Sequence, residues 1–247
     1  VLLTANKNYK LLLKQAKIFN VKNIIISKKN YFEKAKLANN NKKLNIVNNF
    51  ENLRKIFPKK IDYTMSAIVG IEGLLPTIKI IKFTKKIAIA SKEPIICAWN
   101  LIKNELEKNK TEFIPVDSEH FSVWYALKGK STTNIEKIFL TASGGSLFKI
   151  DQKKYKNLKL NQILNHPNWK MGQKITVDSS TMMNKVFEVI EAKKLFNLDY
   201  RKLSILIHPK SYLHAIVKFK DGITKIIAHD TTMEIPIFNT LYNENLK

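Results

Sequence analysis

Short apolar segments alternate with amphipathic segments through the first half of the chain, and this alternation most constrains the fold. Apolar segments that predict β-strands lie at residues 1–4, 23–27, 44–47, 61–69 and 86–90. Segments with the spacing of an α-helix lie at residues 9–19, 31–38, 51–57, 73–83 and 93–107. Strands that alternate with helices predict a parallel sheet covered on both faces. Ligands of such sheets bind beyond the carboxyl ends of the strands.

The pattern changes near residue 112. A strand predicted at 112–116 leads to Asp117 and Glu119, and a second strand leads to the turn Gly144-Gly145. A helix is predicted over 179–196, capped by Ser180 or Thr181. Its expected apolar stripe is formed by Met182, Met183, Val186, Phe187 and Ile190. Two or three strands follow, with a hairpin turn predicted at Asp221-Gly222.

Composition narrows the classes of protein. At 247 residues and 45% hydrophobic content, the chain can bury a sizeable core. The sequence contains no run of about 18 apolar residues, so it predicts no membrane helix. No signal peptide is recognisable at the start. Cys97 is the only cysteine, so disulfides and cysteine metal clusters within one chain are excluded. We therefore expect a cytoplasmic protein that has no membrane partner.

The formal net charge of +23 has two interpretations. It can indicate a nucleic-acid surface. However, Arg54 and Arg201 are the only arginines, and arginine is the residue that best makes bidentate contacts to bases and phosphates. The excess of Lys, Asn and Ile is also what an A+T-rich coding sequence produces without selection for a partner. We favour this second interpretation, with the basic surface serving anionic substrates, and we expect no nucleic-acid partner.

Three carboxylates are candidates for a metal site. Asp117 and Glu119 stand two residues apart at a predicted strand end, so both side chains are expected to point the same way. Two carboxylates on one side repel unless a cation or a proton lies between them, and hard divalent cations favour this arrangement. Glu188, on the predicted helix with Asn184 one turn before it, supplies a third acid, and Glu191 is a rival ligand. The alternative is a solvated acidic pair and an ordinary polar helix face.

A turn and a loop add possible phosphate contacts. Ser143 before Gly144-Gly145 lets backbone N–H groups approach a phosphate, although a plain turn is an equal alternative. Trp169 stands among polar residues, which suits a lid that closes over a ligand. His166 in the same loop can bind a phosphate or be merely solvated. The five histidines show no zinc-ligand spacing.

The order of these motifs resembles that of the 1-deoxy-D-xylulose 5-phosphate reductoisomerase family. The segments that carry the resemblance are ANKN (5–8), AIVGIEGLLPT (67–77), ASKEPIICA (90–98), IPVDSEH (114–120), TASGG (141–145), HPNWKMGQKITVDSSTMMNK (166–185), FEVIEAKKLF (187–196) and ILIHPKSYLHAIVKFKDG (205–222). They span nearly the whole chain. The resemblance implies metal-dependent isomerisation of 1-deoxy-D-xylulose 5-phosphate and its NADPH-dependent reduction to 2-C-methyl-D-erythritol 4-phosphate, in the non-mevalonate isoprenoid pathway.

It also implies an α/β protein with two domains. An incomplete Rossmann-like parallel-sheet domain that binds NADPH would occupy residues 1–114. An α+β catalytic domain that binds metal and substrate would occupy residues 115–247. The implied partners are a sugar phosphate and, in the full-length enzyme, a second copy in a homodimer. The implied cofactors are NADPH and either Mg²⁺ or Mn²⁺.

Matching positions imply the site residues. The metal ligands would be Asp117, Glu119 and Glu188. The substrate-binding residues would be Lys92, Ser118, Glu119, Ser143, His166, Ser179, Asn184, Lys185 and Glu188. Three of these match catalytic positions, namely Lys92, His166 and Lys185. The NADPH-binding residues would be Asn6, Lys7, Asn8, Ser91, Glu93 and Gly172. Trp169 and Met171 would belong to the lid.

The chain departs from the family pattern in several places. Asn6 stands where the family usually has Gly, Ser91 where it has Asn, and Ser146-Leu147 where it has Pro. No glycine precedes Gly70, so the family's first strand and glycine-rich turn are not matched, and neither is its C-terminal helical domain. A fragment without them is expected to be inactive. The competing hypotheses are a basic binding module and a different sugar-phosphate dehydrogenase on the same scaffold.

Overall fold

The computed structural model describes residues 1–169 and 171–242. Two compact units are formed. The first comprises Val1–Ile61 with Lys82–Thr84, and the second comprises Asp62–Ile81 with the chain from Lys85 onward. The last five residues of the predicted catalytic domain, 243–247, lie outside the described residues, as does Lys170.

The first unit is a parallel sheet with helices packed on it. Its strands are β1 (Leu2–Ala5), β2 (Asn23–Ile26) and β3 (Asn45–Val47). Its helices are α1 (Tyr9–Ile18), α2 (Lys29–Ala38) and α3 (Leu53–Ile56). The strand β2 pairs in parallel with both neighbours, and its three consecutive isoleucines are fully buried. Leu12 of α1 and Phe32 of α2 pack against this strand, so an unbroken apolar run marks a central strand, as expected.

The second unit begins with a second sheet in the order β4-β5-β6. Its elements are β4 (Ile61–Ser66), α4 (Leu74–Ile81), β5 (Thr84–Ile89), α5 (Lys92–Asn109) and β6 (Glu112–Pro115). The strands β5 and β6 are parallel. Two residues separate the end of β5 from the start of α5, so the first turn of α5 lies at the carboxyl edge of this sheet.

A mixed sheet in the order β10-β9-β7-β8 completes the second unit. Its strands are β7 (Ile135–Ala142), β8 (Leu203–Ile207), β9 (Leu213–Phe219) and β10 (Thr224–Ala228). The helices are α6 (Ser118–Ala126), α7 (Leu160–Leu164), α8 (Gln173–Ser180), α9 (Met183–Phe196) and α10 (Glu234–Tyr242). Alternate residues of β7 and β9 form one core with Val123 of α6 and with Ala192 and Phe196 of α9. This packing places the start of α6 beside the middle of α9.

The predicted α/β class is confirmed, and every predicted strand of the first 90 residues forms. The hairpin at Asp221-Gly222 also forms between β9 and β10, with Gly222 at φ 85°. The predicted helix over 179–196 is wrong in its start, because α8 ends at Ser180 and a left-handed residue, Met182 at φ 61°, separates it from α9. Neither Ser180 nor Thr181 caps α9.

The predicted apolar stripe of that helix is wrong as well. Met183 and Val186 are 45% and 46% exposed. The buried face of α9 carries Lys185, Glu188 and Glu191 ahead of Ala192 and Phe196. The helix therefore buries charge in its first half and apolar side chains in its second half.

No helix within residues 1–169 and 171–242 has both the length and the apolar character needed to cross a bilayer.

Candidate active site

The acidic pair lies at the start of a helix rather than on a strand. The strand β6 ends at Pro115, Asp117 is the residue before α6, and Glu119 is in its first turn. We expected the two side chains to point the same way because they stand two residues apart on a strand end. That reason is wrong, since neither residue lies on a strand. The two carboxylates still converge, because the first turn of a helix offers free N–H groups and a positive dipole end that favour anions.

Glu188 of α9 completes the predicted triad. One carboxylate oxygen from each of Asp117, Glu119 and Glu188 lies within 4.8 Å of the others. Glu188 is only 2% exposed. A set of three carboxylates with no nitrogen or sulfur donor suits a hard cation such as Mg²⁺ or Mn²⁺.

Two buried lysines hold this triad. The Nζ atom of Lys92, the first residue of α5, lies 2.8 Å from Asp117 Oδ2, 3.3 Å from Glu188 Oε1 and 2.8 Å from Asn184 Oδ1. Lys185 Nζ lies 2.6 Å from Glu119 Oε1 and also pairs with Glu188. Ser118 Oγ donates to Glu119 Oε2 at 2.6 Å. The structure therefore brings together the predicted residues Lys92, Asp117, Ser118, Glu119, Asn184, Lys185 and Glu188.

The charges in this cluster shift one another. Burial lowers the pKa of Lys92, but Asp117 and Glu188 outweigh burial and raise this pKa well above its usual value. Burial raises the pKa of Asp117, and Lys92 reverses the effect, so the Asp117 pKa falls below its usual range. The pKa of Glu188 is raised by burial and by Glu119. Three carboxylates thus face two ammonium groups, and the site retains one excess negative charge, which favours a cation over an anion.

A second group of titratable side chains adjoins the triad. Asp117, His120 and Glu191 also place one ligand-type atom each within 4.8 Å of one another. Burial lowers the pKa of His120, but Glu191 and Asp117 outweigh it and raise this pKa to about 9. Burial raises the pKa of Glu191 to about 7. The sequence predicts Glu191 only as a rival ligand and does not predict a role for His120, whose signal is its position three residues after Asp117.

Ser143 and His166 form a second cluster beyond the end of β7. His166 Nδ1 accepts hydrogen bonds from the backbone N–H groups of Asn168 and Trp169, at 3.1 and 3.0 Å. The proton of the neutral ring therefore lies on Nε2, which donates to Ser143 Oγ at 3.0 Å. Burial lowers the pKa of His166, which favours this neutral form. Ser143 Oγ also accepts from Gly145 N at 3.0 Å, so its own hydrogen is free for a ligand.

The glycine turn lies directly against the end of α8. Gly145 has a φ of 76°, and a Cβ atom at this position would lie 2.3 Å from the carbonyl oxygen of Ser179. Only glycine allows this approach. The backbone of Ser179 therefore lies against the turn that follows Ser143. The predicted role of Ser179 in binding substrate stays a prediction. Ser146, where the family has Pro, donates from its Oγ to the carbonyl of Ile163 at 2.7 Å and ties the turn to α7.

The loop after α7 encloses a cavity of about 420 Å³. Its lining includes His166, Trp169 and Met171, so both predicted lid residues face the same space as the phosphate-side histidine. Trp169 packs edge-on against His214 of β9, with ring centroids 6.2 Å apart. Burial lowers the pKa of His214 to about 4, opposed by the charge of Glu119. His214, which sequence analysis missed, therefore stands between the lid and the acidic cluster.

The predicted cofactor residues are divided between the two units. Asn6, Lys7 and Asn8 follow β1 in the first unit, and Asn8 Oδ1 accepts from Leu11 N at the start of α1. Ser91 and Glu93 lie at the start of α5, where Ser91 Oγ donates to the Ile68 carbonyl at 2.7 Å. Gly172 precedes α8, and Lys174 links that helix to Glu93 at 3.5 Å. Asn6, Lys7, Asn8 and Ser91 lie in loops that follow strands, and Glu93 lies in the first turn of α5. The role of all six residues in binding NADPH stays a prediction.

Comparison with known proteins identifies the family. The sequence model of the 1-deoxy-D-xylulose 5-phosphate reductoisomerase family matches residues 1–99. The sequence model of the C-terminal domain of that family matches residues 113–196. The Pelagibacter ubique enzyme of this name is 60% identical over 243 residues, which are 98% of this chain and 63% of the relative. The Chloroherpeton thalassium enzyme is 39% identical over 95% of this chain and 61% of the relative.

Solved structures agree with the sequence relatives. The Zymomonas mobilis reductoisomerase in complex with NADPH superposes with a TM-score of 0.88 at 32% identity, over 98% of this chain and 63% of that one. A reductoisomerase in complex with NADPH, fosmidomycin and magnesium gives 0.89 at 34% identity, over 100% and 64%. This chain thus spans somewhat less than two thirds of the relatives that it matches. The chain belongs to the 1-deoxy-D-xylulose 5-phosphate reductoisomerase family.

Proposed function

We propose that this protein carries out the reductoisomerase reaction, converting 1-deoxy-D-xylulose 5-phosphate to 2-C-methyl-D-erythritol 4-phosphate with NADPH and a divalent metal ion. The observation that carries the proposal is the triad of Asp117, Glu119 and Glu188, whose oxygens lie within 4.8 Å of one another and of which Glu188 is buried. A basic module for nucleic acid has no use for a cluster of acidic side chains of this kind. The family relationship supports the same reaction over a different sugar-phosphate dehydrogenase.

The metal would be held by the carboxylates of Asp117, Glu119 and Glu188. A bound Mg²⁺ or Mn²⁺ ion would supply charge stabilisation for substrate oxygens that become negative during isomerisation. Both ions prefer oxygen ligands, which supports Mn²⁺ as an alternative to Mg²⁺. Lys92 and Lys185 already contact the same carboxylates, so their ammonium groups would lie beside substrate oxygens bound at this site.

The substrate would lie between the two clusters of side chains in the second unit. Ser118, Asn184 and Lys185 provide donors at the acidic end, where the carbon skeleton reacts. Ser143 would donate its free hydroxyl hydrogen to the phosphate, His166 would orient that hydroxyl through Nε2, and Ser179 is proposed as a further phosphate contact. Trp169 and Met171 would cover the bound substrate and exclude water.

NADPH would supply the hydride for the reduction. The residues proposed to bind it are Asn6, Lys7, Asn8, Ser91, Glu93 and Gly172. Lys7 suits the additional phosphate that distinguishes NADPH from NADH. The nucleotide-binding region is proposed to extend over residues 1–114 and the catalytic region over 115–247. The family matches support this division, because one ends at residue 99 and the other begins at 113.

We also propose a homodimer and a cytoplasmic location. The dimer rests on the family resemblance alone. The location is supported by the single cysteine, Cys97, which suits a reducing compartment.

Replacing Glu119 with Gln tests the function. The change removes one charge from the triad with little change in shape, and it is expected to lower kcat at least about 100-fold because a metal ligand is lost. NADPH oxidation with substrate and Mg²⁺ is the assay, in the native-length protein. The matched control is Glu136→Gln, which removes an exposed carboxylate paired with Lys218.

NADPH affinity, titrated by its fluorescence, is expected to stay within twofold in both variants. A comparable loss of NADPH affinity in Glu119→Gln would contradict the role in metal binding. Absence of substrate-dependent NADPH oxidation in the wild-type protein would refute the proposed reaction itself.

A further inference from the structure

A buried histidine and a buried glutamate lie directly behind the proposed metal ligands. His120 is fully buried in α6, and Glu191 is 1% exposed in α9. His120 follows Asp117 by three residues, and Glu191 follows Glu188 by three, so each is one helical turn from a triad member on the same helix. The pair thus lies at the same contact between α6 and α9 as the triad, one helical turn further along each helix.

The two ring nitrogens of His120 have different surroundings. Nε2 lies 2.9 Å from the backbone carbonyl oxygen of Glu188, which can only accept, so Nε2 donates. Nδ1 faces two carboxylates at ion-pair distances, 3.7 Å from Asp117 Oδ2 and 3.5 Å from Glu191 Oε2, and it makes no hydrogen bond within residues 1–169 and 171–242. One imidazole therefore connects one triad residue through its side chain and another through its backbone.

Glu191 has few other possible partners. Within residues 1–169 and 171–242, its Oε2 atom makes no hydrogen bond, and its ion pair is with His120 at 3.5 Å. The charge of Glu191 also helps to raise the pKa of Lys92. The His120 ring lies between Glu191 and Asp117, so it is through His120 that Glu191 contacts the triad.

The same atoms can be interpreted as a second cation site. Asp117, His120 and Glu191 fall within 4.8 Å of one another, as metal ligands do. However, His120 Nδ1 already lies within 3.7 Å of both carboxylates, so the imidazole itself links them. A nitrogen-containing set also suits a hard cation less well than the neighbouring set of three carboxylates. The geometry therefore favours support of one metal site over the presence of two.

We propose that His120 and Glu191 are positioning residues, which fix the Asp117 carboxylate and the turn of α9 that carries Glu188 in the geometry that binds the metal. This inference rests on the proposed function of the triad. Groups that contact metal-binding carboxylates from behind orient their oxygens, and removing such a group typically weakens metal binding about 10–100-fold.

The test measures Mn²⁺ binding without substrate, by the electron paramagnetic resonance signal of the free ion, in the native-length protein. Glu191→Gln and His120→Asn are each expected to weaken Mn²⁺ binding about 10–100-fold. Because the two residues act as one unit, the double variant is expected to lose no more than the larger single loss. NADPH affinity is expected to stay within twofold, and Glu136→Gln is the matched control with unchanged Mn²⁺ affinity.

Three results would overturn the inference while leaving the metal site in place. Unchanged Mn²⁺ affinity in Glu191→Gln would remove the positioning role. A loss in Glu191→Gln as complete as that in Glu119→Gln would make Glu191 a ligand. Parallel losses of Mn²⁺ affinity, NADPH affinity and melting temperature would reduce the pair to a structural role. If Mn²⁺ binding is absent, or is insensitive to Glu119→Gln, the proposed metal site fails, and this inference fails with it.

Discussion

Replacing Gly145 with alanine is expected to damage both the stability and the substrate affinity of the protein. The residue has a φ of 76°, and an added Cβ atom would lie 2.3 Å from the carbonyl oxygen of Ser179 and 2.9 Å from Cα of Ser180. Both contacts are to backbone at the end of α8, so no flexible side chain can move aside. Either the turn or the helix end must shift.

The expected loss in the free energy of unfolding has two parts. A left-handed backbone costs a non-glycine residue about 1–2 kcal/mol. Overpacking a tight contact adds about 1–3 kcal/mol. Gly222 separates the two parts, because it has a φ of 85° and nothing within 4 Å of an added Cβ. We therefore expect Gly222→Ala to lower the free energy of unfolding by about 1–2 kcal/mol and Gly145→Ala by about 2–5 kcal/mol.

The functional consequence follows from what the turn carries. Gly145 N donates to Ser143 Oγ, which is also the partner of His166. A displaced turn therefore disturbs the proposed phosphate contacts, and a loss of about 1.4 kcal/mol there raises the KM for substrate about tenfold. Gly222→Ala is expected to leave KM unchanged, because its hairpin carries no proposed site residue.

Urea unfolding and steady-state kinetics with varied substrate measure both effects in the native-length protein. Equal destabilisation by the two alanines would show that the close approach to Ser179 has no cost. A normal KM in Gly145→Ala would show that the turn does not hold the phosphate.

Two further predictions concern the lid and its neighbour. Trp169 is half-buried at the loop cavity, so binding of a phosphonate substrate analogue is expected to change its fluorescence. The variant Trp169→Phe is expected to lose that change. An undiminished signal in this variant would make Trp99 or Trp124 the reporter. The folded-state pKa of His214 is about 4, below the usual 6.5. As the pH falls from about 6.5 to 4 the unfolded chain takes up a proton that folded His214 does not, so the free energy of unfolding should fall by about 3 kcal/mol. Urea unfolding of His214→Asn should show a shallower fall with pH, and identical slopes would contradict the assignment.

The parallel sheets could be predicted from sequence because burial on both faces leaves a simple pattern. Three consecutive isoleucines in β2 are each fully buried, and β-branched residues in an unbroken apolar run favour a central strand. The hairpin at Asp221-Gly222 could also be predicted from sequence, since its turn requires a residue with positive φ. In these cases the local pattern and the tertiary environment favour the same structure.

The first half of α9 could not be predicted in this way. Its pattern of Met183, Val186 and Ile190 indicates an apolar face, yet the face that turns inward carries Lys185, Glu188 and Glu191. Periodicity assumes that apolar side chains are buried and charged ones are solvated. That assumption fails where charges from separate helices compensate one another, as Lys185 does with Glu119 of α6. The motif resemblance assigned Lys185 and Glu188 to the site because it does not depend on that assumption.

The buried ion pairs are themselves an argument for chemistry at this place. Lys92, Asp117, Glu119, Lys185 and Glu188 come from three different helices and their flanking residues, and the two lysines and Glu188 are at most 7% exposed. Replacing a buried ion pair with apolar residues of similar volume is often neutral or stabilising. A meeting point of α5, α6 and α9 that served only the fold would therefore be expected to be apolar, as the other half of α9 is. The charged cluster is better explained by a ligand that needs it, and its excess of carboxylates over ammonium groups favours a divalent cation as part of that ligand.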